Sequence, residues 1–113
     1  MNIRILTPLL FAFLLGSGSA QAAAAKITIT APANNATVSQ HDYVELSYEA
    51  IPGPEGDHLH FYVDNKRVDV LHAMKGKADA GILPPGKHHI CLLLNTKGHV
   101  AIGTEECIDV VSK

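Results

Sequence analysis

The feature that most constrains the fold of this chain is a period-two alternation of apolar and polar residues in short stretches. Over residues 58–63, Leu59, Phe61 and Val63 alternate with two histidines and a tyrosine. This period is typical of a β-strand with one face in a hydrophobic core. Similar β-rich stretches occupy residues 26–30, 43–48, 67–71, 88–94 and 106–111, and clusters rich in Pro, Gly, Asn or Lys separate them. No stretch has a helical period, so we expect an all-β chain.

Short strands separated by frequent turn signals predict an immunoglobulin-like or fibronectin-III-like antiparallel β-sandwich of about seven strands. The turns are expected at residues 32–35, 51–56, 64–67, 83–86 and 96–99. Residues 75–77, with the sequence Lys-Gly-Lys, are interpreted as part of a loop. A sandwich of this size buries little surface, and a covalent cross-link would help to stabilise it.

The N-terminal segment has the pattern of a cleaved secretory signal peptide. Arg4 precedes the run 5–15, which is apolar apart from Thr7 and Pro8, and residues 20–22 have the Ala-x-Ala form of a cleavage site. The apolar run is shorter than the roughly 20 residues of a membrane-spanning helix. We therefore expect residues 1–22 to be a signal peptide and residues 23–113 to form one domain, periplasmic or secreted and free of the membrane after cleavage.

The chain has two cysteines, Cys91 and Cys107, on the strands that flank the turn at residues 96–99. A hairpin centred near His99 places the two cysteines directly opposite each other, on the face opposite Leu92 and Ile108. Directly opposed residues come within disulfide reach, and an exported protein is in an oxidising environment. We predict a disulfide; the alternative is a pair of thiols that bind a metal ion.

Histidine is the residue type that most suggests chemistry, with seven in the chain. His58 and His60 share one face of a strand, and His99 lies in the turn that meets the start of that strand at one end of an immunoglobulin-like sandwich. Neutral imidazole is a common ligand for zinc and copper. The pattern predicts a metal site at His58, His60 and His99 with Asp57 beside it. Incidental surface histidines are the plain alternative.

Two other groups in the chain are candidate histidine sites. His72 and Met74 form a His-x-Met pair that would suit copper. His41, His88 and His89 are expected near the other end of the sandwich, as a second cluster or simply as the starts of strands.

Two motifs resemble a group of small bacterial exported immunoglobulin-like domains of uncharacterised function. They are a Gly-His-x-His strand, present here at residues 56–60 with Asp57 inserted, and a Leu-Pro-x-Gly-x-His turn, present at residues 83–88, with a further histidine downstream. The resemblance implies the immunoglobulin-like fold. It also implies that His58, His60, His88 and His99 are the relevant histidines, and it implies no activity.

Composition excludes several functions. The formal net charge is −2 without a basic patch, which disfavours nucleic acid as a partner. No Gly-x-Ser-x-Gly elbow occurs after the signal segment, and Glu105 and Glu106 point to opposite faces of a strand. We therefore expect no catalytic residues, and the chain is not expected to be an enzyme.

The sequence thus predicts an exported domain that captures copper or zinc through surface histidines and releases it when the imidazoles are protonated between about pH 7 and 5. The alternative is a non-enzymatic module that binds a protein, for example a periplasmic one, or a glycan, with incidental histidines. Metal-linked oligomerisation through His58 and His60 is a third possibility.

Overall fold

Residues 23–113 form two packed β-sheets in the computed structural model, which describes this part of the chain. The predicted signal peptide at residues 1–22 lies outside the described residues. The strands, in chain order, are β1 (Lys26–Ala31), β2 (Ala36–Val38), β3 (Tyr43–Ile51), β4 (His58–Val63), β5 (Lys66–Leu71), β6 (Lys75–Ile82), β7 (Gly86–Asn95) and β8 (Ala101–Ser112). One sheet has the order β1-β3-β6 and the other has the order β2-β8-β7-β4-β5. The predicted β-sandwich is therefore confirmed.

The hydrophobic core lies between the two sheets, where the alternating apolar residues of both meet. Leu46 of β3, Phe61 of β4 and Leu92 of β7 are each 0 % exposed. Since each strand directs alternate side chains into this core, its other face is free to carry polar groups. In β4 and β7 this outer face carries His58, His60, His89 and Cys91.

The register of the five-stranded sheet brings distant residues side by side. β4 pairs antiparallel with β7, with His58 opposite Asn95, and β7 pairs antiparallel with β8. β5 covers the other edge of β4 through a tight turn at Asp64 and Asn65, whose φ angles of 51° and 64° are left-handed. Asp and Asn tolerate this conformation, and this accounts for the turn predicted there.

The interpretation of residues 75–77 as a loop was wrong. They begin β6, which pairs with β3 at the edge of the smaller sheet. The alternation is hard to see in the sequence because the inward side chains are small, as at Ala78, which is 5 % exposed. Backbone hydrogen bonds to β3, rather than large apolar side chains, hold this strand in place.

The disulfide prediction is confirmed. Cys91 and Cys107 are direct partners in the β7–β8 register, and their sulfur atoms are bonded, with the Cα atoms 4.1 Å apart. The alternative of two metal-binding thiols does not apply to this oxidised state. None of the elements in residues 23–113 is a helix long and apolar enough to cross a membrane.

Candidate metal centre

β4 places His58 and His60 on its outer face, as the alternation predicts, but both side chains are buried. His58 is 1 % exposed and His60 is 4 % exposed. The expectation that they are surface histidines was wrong, because β4 lies inside its sheet between β5 and β7, and the turn after β7 covers this end of the strand. Both faces of β4 are therefore shielded from water, although only one of them faces the hydrophobic core.

The turn between β7 and β8 brings His99 to the same place. Thr96 donates its backbone N–H to the carbonyl of Val100 at 2.8 Å, and His99 donates its own to the carbonyl of Thr96 at 2.9 Å. His99 has a φ of 64°, a left-handed conformation that is costly for a residue with a Cβ. Residues held in such conformations concentrate at functional sites.

The three imidazoles meet through their ring nitrogens. Nε2 of His58 lies 3.0 Å from Nε2 of His60, and Nδ1 of His99 lies 3.1 Å from each of them. The ring centroids are farther apart than the nitrogens, at 5.0, 4.5 and 5.4 Å. The rings therefore diverge from a triangle of nitrogen atoms at their centre, which we call the histidine triangle.

Asp57 orients the first of these rings. Its Oδ2 is 2.9 Å from Nδ1 of His58, and an ionised carboxylate can only accept, so Nδ1 of His58 carries the proton. In the neutral ring, Nε2 then presents a lone pair to the triangle. This hydrogen bond holds the pKa of Asp57 below its ordinary value. A carboxylate that fixes the tautomer of a metal-binding histidine is a common feature of metal sites.

The loop before β4 is fixed in position to hold Asp57. The backbone N–H of Asp57 donates to the carbonyl of Asn95 at 2.8 Å, which ties the loop to the end of β7. Gly56 is required next to it, because a Cβ at this position would lie 2.2 Å from the carbonyl oxygen of Pro52. The two loops at this end of the sandwich therefore meet, as an immunoglobulin-like fold predicts.

The surroundings of His60 favour its neutral form. Burial lowers the pKa of His60, and the neighbouring His58, Arg67 and His99 lower it further, since each would repel a second positive charge. A neutral imidazole keeps the lone pair that a metal ion requires. Without a bound ion, this environment therefore favours a neutral His60 ring.

His72 lies beside the histidine triangle, although the motif resemblance did not select it. Its ring centroid is 5.4 Å from that of His58, and ligand atoms of Asp57, His58 and His72 all lie within 4.8 Å of one another. The predicted partner Met74 is half-buried and packs against the hydrophobic core. His72 directly follows β5, whose Leu71 pairs with Leu59 next to His58, and this register brings it to the histidine triangle.

His88 lies outside the histidine triangle. Its Nδ1 is 2.6 Å from Oδ2 of Asp64 and its Nε2 is 2.6 Å from the carbonyl oxygen of Pro84. Two oxygen partners favour a ring with both nitrogens protonated, and the bond to Asp64 is the main reason that the pKa of His88 is raised. The structure thus separates His88 from the other three histidines that the motif resemblance selected.

The remaining two histidines also lie elsewhere. Nδ1 of His89 is 2.8 Å from Oδ1 of Asp109. His41 is exposed, and its backbone N–H donates to the hydroxyl of Ser39. His41, His88 and His89 therefore make separate contacts, and the second cluster considered for them from the sequence does not form.

Comparison with known proteins supports the fold. No known family and no curated protein matches the sequence. Among solved structures, the chain is similar to fibronectin(III)-like modules of CbhA from Clostridium thermocellum, with 16% identity and a TM-score of 0.66, over 79% of this chain and 46% of that chain. It is also similar to a lytic polysaccharide monooxygenase from Jonesia denitrificans, with 18% identity and a TM-score of 0.51, over 73% of this chain and 60% of that chain.

This chain thus spans less than half the length of the first of these structures and about three fifths of the second. At such low identity the likeness concerns the fold alone. Residues 23–113 are a fibronectin-III-like or immunoglobulin-like β-sandwich.

Proposed function

We propose that this protein is an exported, non-enzymatic domain that binds one transition-metal cation, copper or zinc, through His58, His60 and His99. The observation that carries the proposal is the histidine triangle, whose three nitrogens lie 3.0 to 3.1 Å from one another. Three neutral imidazoles cannot all be hydrogen-bonded to one another in this triangle, because each ring nitrogen has either a hydrogen to donate or a lone pair to accept with, but not both. A single cation between them uses all three lone pairs.

The size of the triangle suits a first-row metal ion. Zinc–nitrogen bonds are about 2.0–2.1 Å long, so nitrogens spaced by 3.0 to 3.1 Å are close enough together for all three to bind one such ion. His58, His60 and His99 would hold the ion, and a fourth position would be left for water or a further ligand. His72 is the nearest further imidazole to His58 and is the candidate for that position.

The donor set selects the class of metal. Imidazole nitrogens suit zinc and copper, whereas magnesium and calcium prefer oxygen ligands. The triangle contains no thioether, because Met74 packs against the core. The soft ligand that would favour copper over zinc is therefore missing from the proposed set, and either ion fits the three nitrogens.

Export is part of the proposal. The Ala-x-Ala pattern at residues 20–22 and the Cys91–Cys107 disulfide are both typical of proteins that act in the periplasm or outside the cell. In such a compartment the domain would capture an ion with its neutral imidazoles, and acidification would release it.

Elemental analysis and calorimetry test the proposal. Protein expressed from the full-length chain without a tag is analysed for bound metals, stripped with a chelator, and titrated with Zn²⁺ and Cu²⁺. We expect one ion per chain for the wild type, and loss of that binding in His60→Leu. The matched control His88→Gln should bind as the wild type does.

The interaction module, with incidental histidines, is the alternative function. Failure of the wild type to bind zinc or copper after challenge would overturn the metal proposal and favour this alternative. Equal binding by the wild type and His60→Leu would place the ion elsewhere on the protein and would overturn the proposed site.

A further inference from the structure

The outer face of the five-stranded sheet carries a second group of polar side chains, around the disulfide. The neighbours of the two cysteines in the chain, Ile90, Leu92 and Ile108, are buried in the core, so Cys91 and Cys107 lie on the opposite face. The disulfide joins two adjacent strands of one sheet rather than the two sheets. It is therefore within reach of reagents from solvent, and Cys107 is the more exposed of its two residues.

His89 and Asp109 stand next to this disulfide in a defined order. Nε2 of His89 is 3.2 Å from Sγ of Cys91, and Nδ1 of His89 is 2.8 Å from Oδ1 of Asp109. The bond to His89 is the main reason that the pKa of Asp109 is lowered, so the carboxylate is ionised and accepts a hydrogen bond from Nδ1–H of His89. Carboxylate, imidazole and sulfur in this order form the arrangement in which a protonated imidazole, paired with the carboxylate, stabilises a cysteine thiolate.

Access to the disulfide differs at its two ends. A thiolate attacks a disulfide in line with the sulfur–sulfur bond, from the far side of the sulfur that it attacks. Beyond Cys91 lies β4, with Tyr62 as its direct partner. Within residues 23–113, no strand pairs with β8 beside Cys107, because β2 reaches only Val110 to Ser112. A surface cavity of about 440 Å³ also opens over both cysteines.

The geometry points to Cys91–Cys107 as a thiol–disulfide exchange site for a dithiol, in which the incoming thiolate attacks Cys107 and expels Cys91. A new sulfur–sulfur bond forms to Cys107 while the Cys91–Cys107 bond breaks, and its electron pair goes to Sγ of Cys91 beside His89. The second thiolate of the dithiol then attacks its own partner sulfur and releases Cys107. The dithiol loses two electrons and two protons, and the two cysteines gain them.

This inference does not depend on metal binding, so the test is performed with a chelator present. The oxidised protein is mixed with an excess of dithiothreitol, and free thiols are counted by mass after alkylation. The reduction rate should rise in proportion to dithiothreitol. We expect His89→Gln to slow it by about tenfold, because the leaving thiolate loses its partner. Asp109→Asn should slow it less, and His88→Gln should leave it unchanged.

A structural role for His89 predicts the opposite change. A variant that is only less stable opens more often and is reduced faster. Glutathione gives a second measurement, since a monothiol stops at the mixed disulfide, and peptide mapping then locates it. We expect glutathione mainly on Cys107, with Cys91 free. Equal labelling of both cysteines, a rate independent of dithiothreitol, or a wild-type rate in His89→Gln would each overturn the inference.

Discussion

Two histidines near opposite ends of β4, His60 on β4 itself and His88 on the neighbouring β7, lie in opposite electrostatic settings. At the start of β4, His60 faces other imidazoles, and burial together with these neighbours lowers the pKa of His60. Near its end, His88 faces Asp64 and the Pro84 carbonyl, and the pKa of His88 is raised. A histidine whose nitrogens meet oxygens is already satisfied as an ion pair. One whose nitrogen meets other imidazole nitrogens is suited to a cation.

The largest expected effect is on metal affinity, which should depend on the histidines of the triangle and not on His88. His99→Gly should weaken zinc or copper binding by at least about 100-fold, because it removes a ligand. Removing a residue that only orients a ligand weakens binding by about 10- to 100-fold, so the loss of the ligand itself should cost more. Calorimetric titration of the chelator-treated protein measures it. Glycine is suited to the left-handed backbone at this position, so the variant should fold normally.

The matched control for this substitution is His88→Gln, which should bind the metal ion with the affinity of the wild type. A loss of affinity in His88→Gln equal to that in His99→Gly would mean that the two ends of β4 are not distinct in function.

The second effect concerns the carboxylate next to each histidine. Asp57→Asn should weaken metal affinity by about 10-fold or more, because the amide no longer fixes the His58 tautomer as a carboxylate does. Asp64→Asn, at the other end of the strand, should leave affinity unchanged. The measurement is a competition titration against a chromophoric chelator. An unchanged affinity in Asp57→Asn would show that the hydrogen bond between Asp57 and His58 has no part in binding.

The third effect is an opposite response of stability to pH in the metal-free protein. His60, with its lowered pKa, contributes stability above the ordinary value of 6.5 and loses it as the pH falls. His88, with its raised pKa, contributes stability below 6.5 and loses it as the pH rises through the raised value. Asp64 has a lowered pKa, so its contribution is lost only as the pH falls below 3.8.

Urea unfolding of metal-free variants on both sides of pH 6.5 measures these contributions. Relative to the wild type, His60→Leu should gain stability as the pH falls, whereas His88→Gln should lose stability. The change for His88→Gln should stay within about 1 kcal/mol, since Asp64 is half exposed to solvent. Changes of the same sign in both variants would contradict the assigned environments.

The smallest effect is on backbone strain at the turn. In the metal-free protein, His99→Gly should raise the free energy of unfolding by up to about 1 kcal/mol, because glycine adopts a left-handed conformation without a steric penalty. Urea denaturation measures it, with His41→Gly as the control in an exposed position. A clear loss of stability in His99→Gly would indicate that the His99 side chain stabilises the turn even without a metal ion.

Much of this arrangement was predictable because it follows from period-two alternation. The pairing of Cys91 with Cys107 and the shared face of His58 and His60 both depend only on strand direction and register. The burial of His58 and His60 was not predictable, because it depends on strands and a turn that are distant in sequence. Alternation tells which face a residue occupies, but not what covers that face.

Two further features were missed, and each has a specific structural cause. The pairing of β4 with β5 shifts by one residue between Phe61 and Tyr62, and this shift aligns Leu71 with Leu59 and brings His72 next to His58. A bulge of this kind leaves no clear signal in sequence. The pairing of His88 with Asp64 was also missed, because it depends on how the β4–β5 turn lies against β7.

A crystal structure of the metal-loaded protein, with anomalous scattering at the zinc or copper edge, tests the central claim most directly. The account predicts one anomalous peak, about 2.0–2.2 Å from Nε2 of His58, Nε2 of His60 and Nδ1 of His99. A peak at His88 or His89 instead, or no peak in the triangle at full metal occupancy in solution, would contradict it.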